Sequence, residues 1–171
     1  MVNVTNLSNL LYYCAGLTTV DLSPLSGMVN VTNLSYLLCN CTRLTTVDLS
    51  PLSGMVNVTN LSNLLNNCAG LTTMVGLPYF GKATGYSYFM RDCTSYTSCL
   101  PELWIQYYGK SVSKTNCFSN CQKAANWLEV PKSWGGTALE YTPPAVSGVV
   151  LADYRALDTR LKNVEEKLNL N

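Results

Sequence analysis

Eight cysteines are the residues of this chain best suited to do chemistry, as zinc ligands, disulfide partners or nucleophiles. A zinc site needs ligand pairs such as Cys-x-x-Cys that converge tetrahedrally, and the sequence has no such pair and no histidine. The regular spacing predicts instead a ladder of small apolar core residues at one repeat position. The residues of this ladder are Cys14, Cys41, Cys68, Cys93 and Cys121. We therefore expect no metal and no cofactor.

Catalytic groups are sparse. Without histidine, the chain lacks the usual base near neutral pH, and it contains neither a nucleophile elbow nor a phosphate-binding loop. Asp21 and Asp48 stand at equivalent repeat positions, but the third copy places Val75 there. We expect a protein that is not an enzyme.

Glycosylation acceptor patterns of the type Asn-x-Ser/Thr also recur with the repeat. Their regularity favours a structural role, in which stacked Asn side chains bond turn amides and carbonyls. The matching residues are Asn3, Asn6, Asn30, Asn33, Asn40, Asn57 and Asn60.

These residues sit in a 27-residue repeat. Met1–Gly27 and Met28–Gly54 differ at five positions, and a third copy begins at Met55. A fixed period of this length is typical of a solenoid, in which each unit buries its apolar face against its neighbours.

Each unit combines two periodicities. Leu17–Leu22 follows the pattern L-x-x-L-x-L, which predicts the strand of a leucine-rich repeat. Asn6–Tyr13 has apolar residues at helical spacing after a capping Thr5, which predicts a short helix. Weaker copies at 84–101 and 117–131 bring the total to about five helix-plus-strand units.

The amino-acid sequence of the units resembles that of the BspA-like leucine-rich repeat family. The segments that carry the resemblance are "NVTNLSNLLYYCAGLTTVDLS" and "NVTNLSYLLCNCTRLTTVDLS". The resemblance covers residues 1 to about 131. It implies a leucine-rich repeat solenoid of α/β type with a non-enzymatic recognition or adhesion surface, as on microbial surface proteins and some bacteriophage proteins.

Two surfaces could bind a ligand. The first is the outward side of the strands, with a solvated polar sheet face as the alternative; it comprises Thr19, Asp21, Thr46, Asp48 and Thr73. The second is the aromatic cluster after the regular repeats, which packing of the C-terminal cap could equally explain. Within it we expect exposure of Trp104, Tyr107 and Tyr108.

The C-terminal region changes character. Residues 1–134 form the predicted solenoid with an irregular cap, 135–148 a Gly- and Pro-containing linker, and 149–171 a coiled-coil helix. Arg160 and Glu165 match a pattern of short trimeric coiled coils. The alternative is a helix docked on its own solenoid. The predicted oligomerisation residues are Val150, Tyr154, Leu157, Arg160, Leu161, Val164, Glu165 and Leu168.

Overall composition limits the partners. Charged residues make up 12% of the 171-residue chain and the net charge is +1, so we expect no nucleic-acid binding. No apolar run reaches the roughly 20 residues that span a bilayer, so we expect no membrane insertion.

Met1 is followed by no secretion-signal pattern, which favours reduced cysteines and assembly in the cytoplasm. Because Met1 is also the first residue of the repeat, further repeats upstream of it are an open alternative.

Together these features predict a virion-associated bacteriophage protein, a fibre or decoration component with a leucine-rich repeat surface on a trimeric coiled coil. Its expected partners are two further copies of itself and other virion proteins, with a host surface protein or glycan as target. One alternative is a fragment of a bacterial cell-surface adhesin. Another is an intracellular scaffold that binds a partner's coiled coil.

Overall fold

The computed structural model describes residues 3–143, which fall almost entirely in the first of two compact units, Met1–Tyr141. Regular elements are few and short in this range. The strands β1 (Thr46–Asp48) and β2 (Thr73–Val75) pair in parallel, with Thr46 opposite Thr73 and Asp48 opposite Val75. One α-helix, α1, spans Leu103–Gln106. The 3-10 helices are Ser23–Leu25, Ser50–Leu52, Trp127–Glu129 and Lys132–Trp134.

The predicted fold class is wrong. A leucine-rich repeat solenoid of about five helix-plus-strand units followed by a coiled-coil helix does not match one four-residue α-helix and a two-stranded parallel sheet. Strand residues occur only in the second and third copies, and no described copy contains the predicted helix. The predicted coiled-coil residues, 149–171, lie outside the described part.

The backbone explains why the segment 6–13 is not helical. Asn9 and Tyr13 have φ values of 61°, and the same two positions carry positive φ in every later unit. A left-handed residue interrupts the i to i−4 hydrogen bonds of an α-helix. The segment is therefore a run of tight turns. The ten left-handed non-glycine residues of the five units include six Asn and one Asp, the types that tolerate this region best.

Backbone hydrogen bonds run between units as well as within their turns, where the N–H of Tyr12, for example, donates to the carbonyl of Asn9 at 3.0 Å. The N–H groups of Leu7, Asn9 and Leu11 donate to carbonyls of the next copy at 2.9–3.1 Å. Parallel bridges join the same position in successive copies, from Asn6 to Asn33, Asn60, Gly85 and Ser113. The copies thus stack one above another, and we call each level a rung.

Threonine strengthens the stack at two repeat positions. The backbone N–H of Thr32 and its hydroxyl both donate to the carbonyl of Thr5, at 2.8 and 3.1 Å. Thr45 makes the same pair of bonds to Thr18, and Thr72 makes them to Thr45. The residues that recur in each copy therefore include threonines whose side chains hydrogen-bond to the preceding rung.

Asparagines hydrogen-bond as the sequence predicted. Asn6, Asn33 and Asn60 each accept a bond from the backbone N–H two residues later, at 2.9–3.0 Å. Other asparagines join rungs: Asn67 Nδ2 donates to Asn40 Oδ1 at 2.8 Å. This explains the recurrence of the acceptor pattern by structure.

One continuous apolar core runs through the stack. In the second rung Leu34, Leu37, Leu38 and Cys41 are fully buried, so the apolar residues at helical spacing do point inward. Larger side chains replace these leucines in the fourth and fifth rungs, where Phe89 lies edge-on to Phe118 at 6.5 Å. The last rung is closed by Trp134, whose carbonyl accepts the N–H of Phe118 at 2.9 Å.

Candidate functional site

The predicted strand face is exposed at Thr19, Asp21, Thr46 and Asp48, whereas Thr73 is half-buried. Its carboxylates have a local role. Oδ1 of Asp21 and of Asp48 accepts the backbone N–H of the serine two residues later, at 2.9 and 2.8 Å, just before a 3-10 helix. Hydrogen bonds from the side chain and backbone of Ser23 lower the pKa of Asp21, and those from the backbone and side chain of Ser50 lower the pKa of Asp48. The face is therefore a polar surface whose acidic groups cap turns.

The aromatic patch is only partly exposed. Helix α1 turns Leu103, Trp104 and Tyr107 inward, because positions three and four apart share a helix face. Trp104 lies edge-on to Phe118 at 6.1 Å. The expected exposure of Trp104 and Tyr107 is wrong: their side chains are 5% and 2% exposed, whereas Tyr108 is 37% exposed. Packing of the cap, the alternative explanation, accounts for the two buried residues.

Tyr108 instead lines a cleft of about 140 Å³ beside the last rungs, which we call the cap cleft. Two further segments complete it, the 3-10 helix Lys132–Trp134 and the residues Glu140 and Tyr141. Gly135 ends that 3-10 helix with φ of 97°, a conformation that favours glycine. The full lining is Trp104, Tyr107, Tyr108, Gly109, Lys110, Lys114, Pro131, Trp134, Glu140 and Tyr141.

Two lysines bring positive charge to the cap cleft. Lys110 Nζ lies 5.2 Å from the ring centroid of Tyr107 and donates to the Tyr79 hydroxyl at 2.5 Å. Lys114 Nζ lies 5.3 Å from the ring centroid of Trp134. Within residues 3–143 the sole ion pair joins Arg91 and Asp92, so neither lysine has a carboxylate partner there.

Glu140 brings the one carboxylate of the lining. Its two oxygens accept the backbone N–H of Ser133 at 2.8 Å and the Ser133 hydroxyl at 2.6 Å. These bonds, with attraction from Lys114 and Lys132, lower the pKa of Glu140. The carboxylate is thus charged and oriented at neutral pH.

Aromatic edges complete the cap cleft. The rings of Tyr108 and Tyr141 meet edge to face, with centroids 5.6 Å apart. Tyr141 is half-buried, so both rings combine a packed side with an accessible one. Such rings are typical of recognition sites, because they offer rigid contact area and a polar hydroxyl.

The predicted cysteine ladder is present, and four of its five thiols are buried while Cys14 is half-buried. The thiols of Cys41, Cys68, Cys93 and Cys121 are buried, and each donates to a carbonyl of the preceding rung at 3.0–3.3 Å. Burial raises the pKa of the Cys68 thiol, so it stays protonated at neutral pH. All eight cysteines are free, and residues 3–143 contain no cluster of three potential metal ligands.

The sequence analysis did not identify five of the residues that line the cap cleft as binding residues: Lys110, Lys114, Trp134, Glu140 and Tyr141. The two lysines are four residues apart in "GKSVSK" and gave a weak signal in a chain with few charges. Trp134 and Glu140 belong to segments that looked like a cap and a linker. The predicted oligomerisation residues, from Val150 to Leu168, lie outside the described range and stay a prediction.

Comparisons with protein-family models, with curated proteins and with solved structures found no match to this chain. The resemblance to the BspA-like family therefore stays an expectation, although the fold that it implied is wrong. In residues 3–143 no helix is long and apolar enough to cross a bilayer.

Proposed function

We propose that this protein is a non-enzymatic recognition component of a virion, and that its repeat stack serves as a scaffold for the cap cleft. The observation that supports the recognition part of the proposal is the cleft itself, whereas the virion setting rests on the sequence features alone. The cleft combines two lysines, one carboxylate held by Ser133 and partly accessible tyrosine rings in a small concave surface. Concave sites with a few oriented polar groups among aromatic residues are the usual form of a binding site.

The scaffold suits such a role. Backbone and threonine bonds tie each rung to the next, and the core is continuous from Leu7 to Trp134. A site built on a hydrogen-bonded scaffold loses little conformational entropy when it binds, which favours affinity for a small ligand. In this proposal several copies act together through the C-terminal region, so that weak single contacts add up by avidity.

Mass spectrometry of particles from a producing host tests the virion assignment. After a density gradient, we expect peptides of this protein to co-migrate with the major structural proteins in a constant ratio. Peptides confined to the cell lysate would contradict the proposal. Protease-sensitive labelling on intact, uninfected bacteria would favour a cell-surface adhesin instead.

A further inference from the structure

The cap cleft has a charge pattern that selects among ligands. Lys110 and Lys114 line it with no described carboxylate in ion-pair contact, and the one acid in its lining, Glu140, is near enough to be attracted by Lys114. The net charge of the lining is therefore +1, from two lysine ammonium groups and one glutamate carboxylate. A ligand that carries both an anionic group and hydrogen-bond donors would satisfy both signs.

Glu140 is arranged to accept further bonds. Ser133 occupies one direction at each carboxylate oxygen, and an ionised carboxylate has about four acceptor positions in all. The remaining positions suit hydroxyl donors. A small anion such as inorganic phosphate offers fewer hydroxyl donors than a sugar, so it would fill fewer of these positions.

The tyrosines suit a ring with apolar C–H groups. Tyr108 is exposed and Tyr141 half-buried beside the charges, with their rings packed edge to face. Aromatic side chains combine apolar contact with a polar handle, which matches a sugar ring that has C–H groups on one face and hydroxyls around its rim. The cleft volume of about 140 Å³ is below the roughly 300–1,000 Å³ of ordinary ligand pockets, so it suits shallow contact with one ring and not enclosure of a longer chain.

We infer that the cap cleft binds an acidic sugar residue of a surface polysaccharide, such as a hexuronate. The sugar carboxylate lies toward Lys110 and Lys114, its hydroxyls donate to Glu140, and its ring contacts Tyr108 and Tyr141. This inference rests on the proposed recognition function and names the ligand class of that site.

Ligand-observed NMR with the full-length protein tests the inference, with sodium glucuronate, glucose and inorganic phosphate as probes. We expect saturation transfer to glucuronate with a Kd of about 1 mM, since few contacts hold a single sugar. Glucose should bind more weakly because it lacks the carboxylate. Inorganic phosphate has no C–H protons to observe and serves as a competitor. Displacement of half or more of the glucuronate signal by an equal concentration of phosphate would show a simple anion site and overturn the inference.

Substitutions distinguish the effect of a cleft lysine on binding from the effect of losing any one positive charge. Lys114→Gln should weaken glucuronate binding about five- to tenfold, because it removes a charge-assisted hydrogen bond. Lys123→Gln is the matched control, since Lys123 is exposed and does not line the cleft, and it should bind as the unchanged protein does. Lys110→Gln supplies a second test if Lys114→Gln fails to fold by circular dichroism. Equal affinity in all these proteins, or no binding to glucuronate, would overturn the inference.

The outcomes of the two proposals are distinguishable. Presence in purified particles without glucuronate binding would leave the virion role and remove the ligand class. Binding of glucuronate by a protein absent from particles would keep the cleft and assign it to another setting, such as a bacterial surface.

Discussion

Two buried phenols form a short hydrogen-bond chain beneath the cap cleft. The Tyr86 hydroxyl donates to the Tyr107 hydroxyl at 2.6 Å, which donates to the carbonyl of Phe80 at 3.0 Å. Burial raises the pKa of Tyr107 to about 12, so the chain is uncharged at neutral pH. The two hydroxyls therefore differ in their hydrogen bonds: Tyr107 both donates and accepts, whereas Tyr86 only donates.

Tyr107→Phe should therefore destabilise the protein by about 1–3 kcal/mol, because it leaves the buried Tyr86 hydroxyl without its acceptor. Tyr86→Phe is the matched control and should cost about 1 kcal/mol or less, since Tyr107 can still donate to Phe80. Urea unfolding followed by fluorescence measures both. An equal or larger cost for Tyr86→Phe would contradict the donor order.

Asp48 should link stability to pH. Hydrogen bonds from Ser50 lower its pKa in the folded state, so its contribution is present above the unfolded value of about 3.9 and is lost as pH falls through the folded pKa. Asp48→Asn keeps an acceptor for the Ser50 N–H but does not titrate there. Asp48→Ala removes the turn cap at every pH.

Unfolding midpoints from pH 7 down to pH 2 check this expectation. The Asp48→Asn variant should resemble the unchanged protein at pH 7 and lose less stability in acid, whereas Asp48→Ala should have the lower midpoint at pH 7. Parallel pH curves for the unchanged protein and Asp48→Asn would show that the carboxylate charge is irrelevant to this turn.

At the scale of elements, tight turns replace the predicted helices. Apolar residues at positions 7, 10, 11 and 14 of a unit fit one helix face, but they fit equally a run of turns with a left-handed residue every fourth position. The clue was the spacing of asparagines, since Asn63 and Asn67 are four apart and both left-handed. Apolar periodicity alone does not separate these two backbones.

Asn9 tests the left-handed positions directly. Its side chain is exposed and its φ is 61°, so a substitution there acts mainly through the backbone. Asn9→Val should destabilise the protein by about 1–2 kcal/mol, because a β-branched residue is disfavoured at positive φ. Asn9→Gly should change stability by less than about 0.5 kcal/mol. Equal unfolding midpoints for the two variants would argue against turns in this segment.

At the scale of the whole molecule, position in the stack decides the environment of a residue. Leu10 is 53% exposed in the first rung, whereas the equivalent Leu37 and Leu64 are fully buried. Equivalent residues in near-identical copies therefore differ because a rung is fully covered only where a neighbour lies on both sides of it. The last rung is covered by Trp134, and this closure also builds the cap cleft.

Self-association through the C-terminal region is a prediction from the heptad spacing alone. Light scattering should give about three times 18.7 kDa for the whole chain and a single-chain mass for a version ending at Gly148. The same mass for both proteins would remove this region as the assembly device. The avidity part of the proposed function would then fail, while the cap cleft would be unaffected.

The sequence by itself determined the 27-residue period, the inward residues of each unit and the cysteine ladder, because a repeated apolar pattern can be buried only against its neighbours. Only the tertiary structure decided where the backbone hydrogen bonds go. Within a rung they close only tight turns, because left-handed residues such as Asn9 and Asn67 prevent helices there, and the others join one rung to the next. It also decided the cap cleft, whose lysines, Trp134 and Glu140 are distant in the sequence and meet only where the last rung is closed.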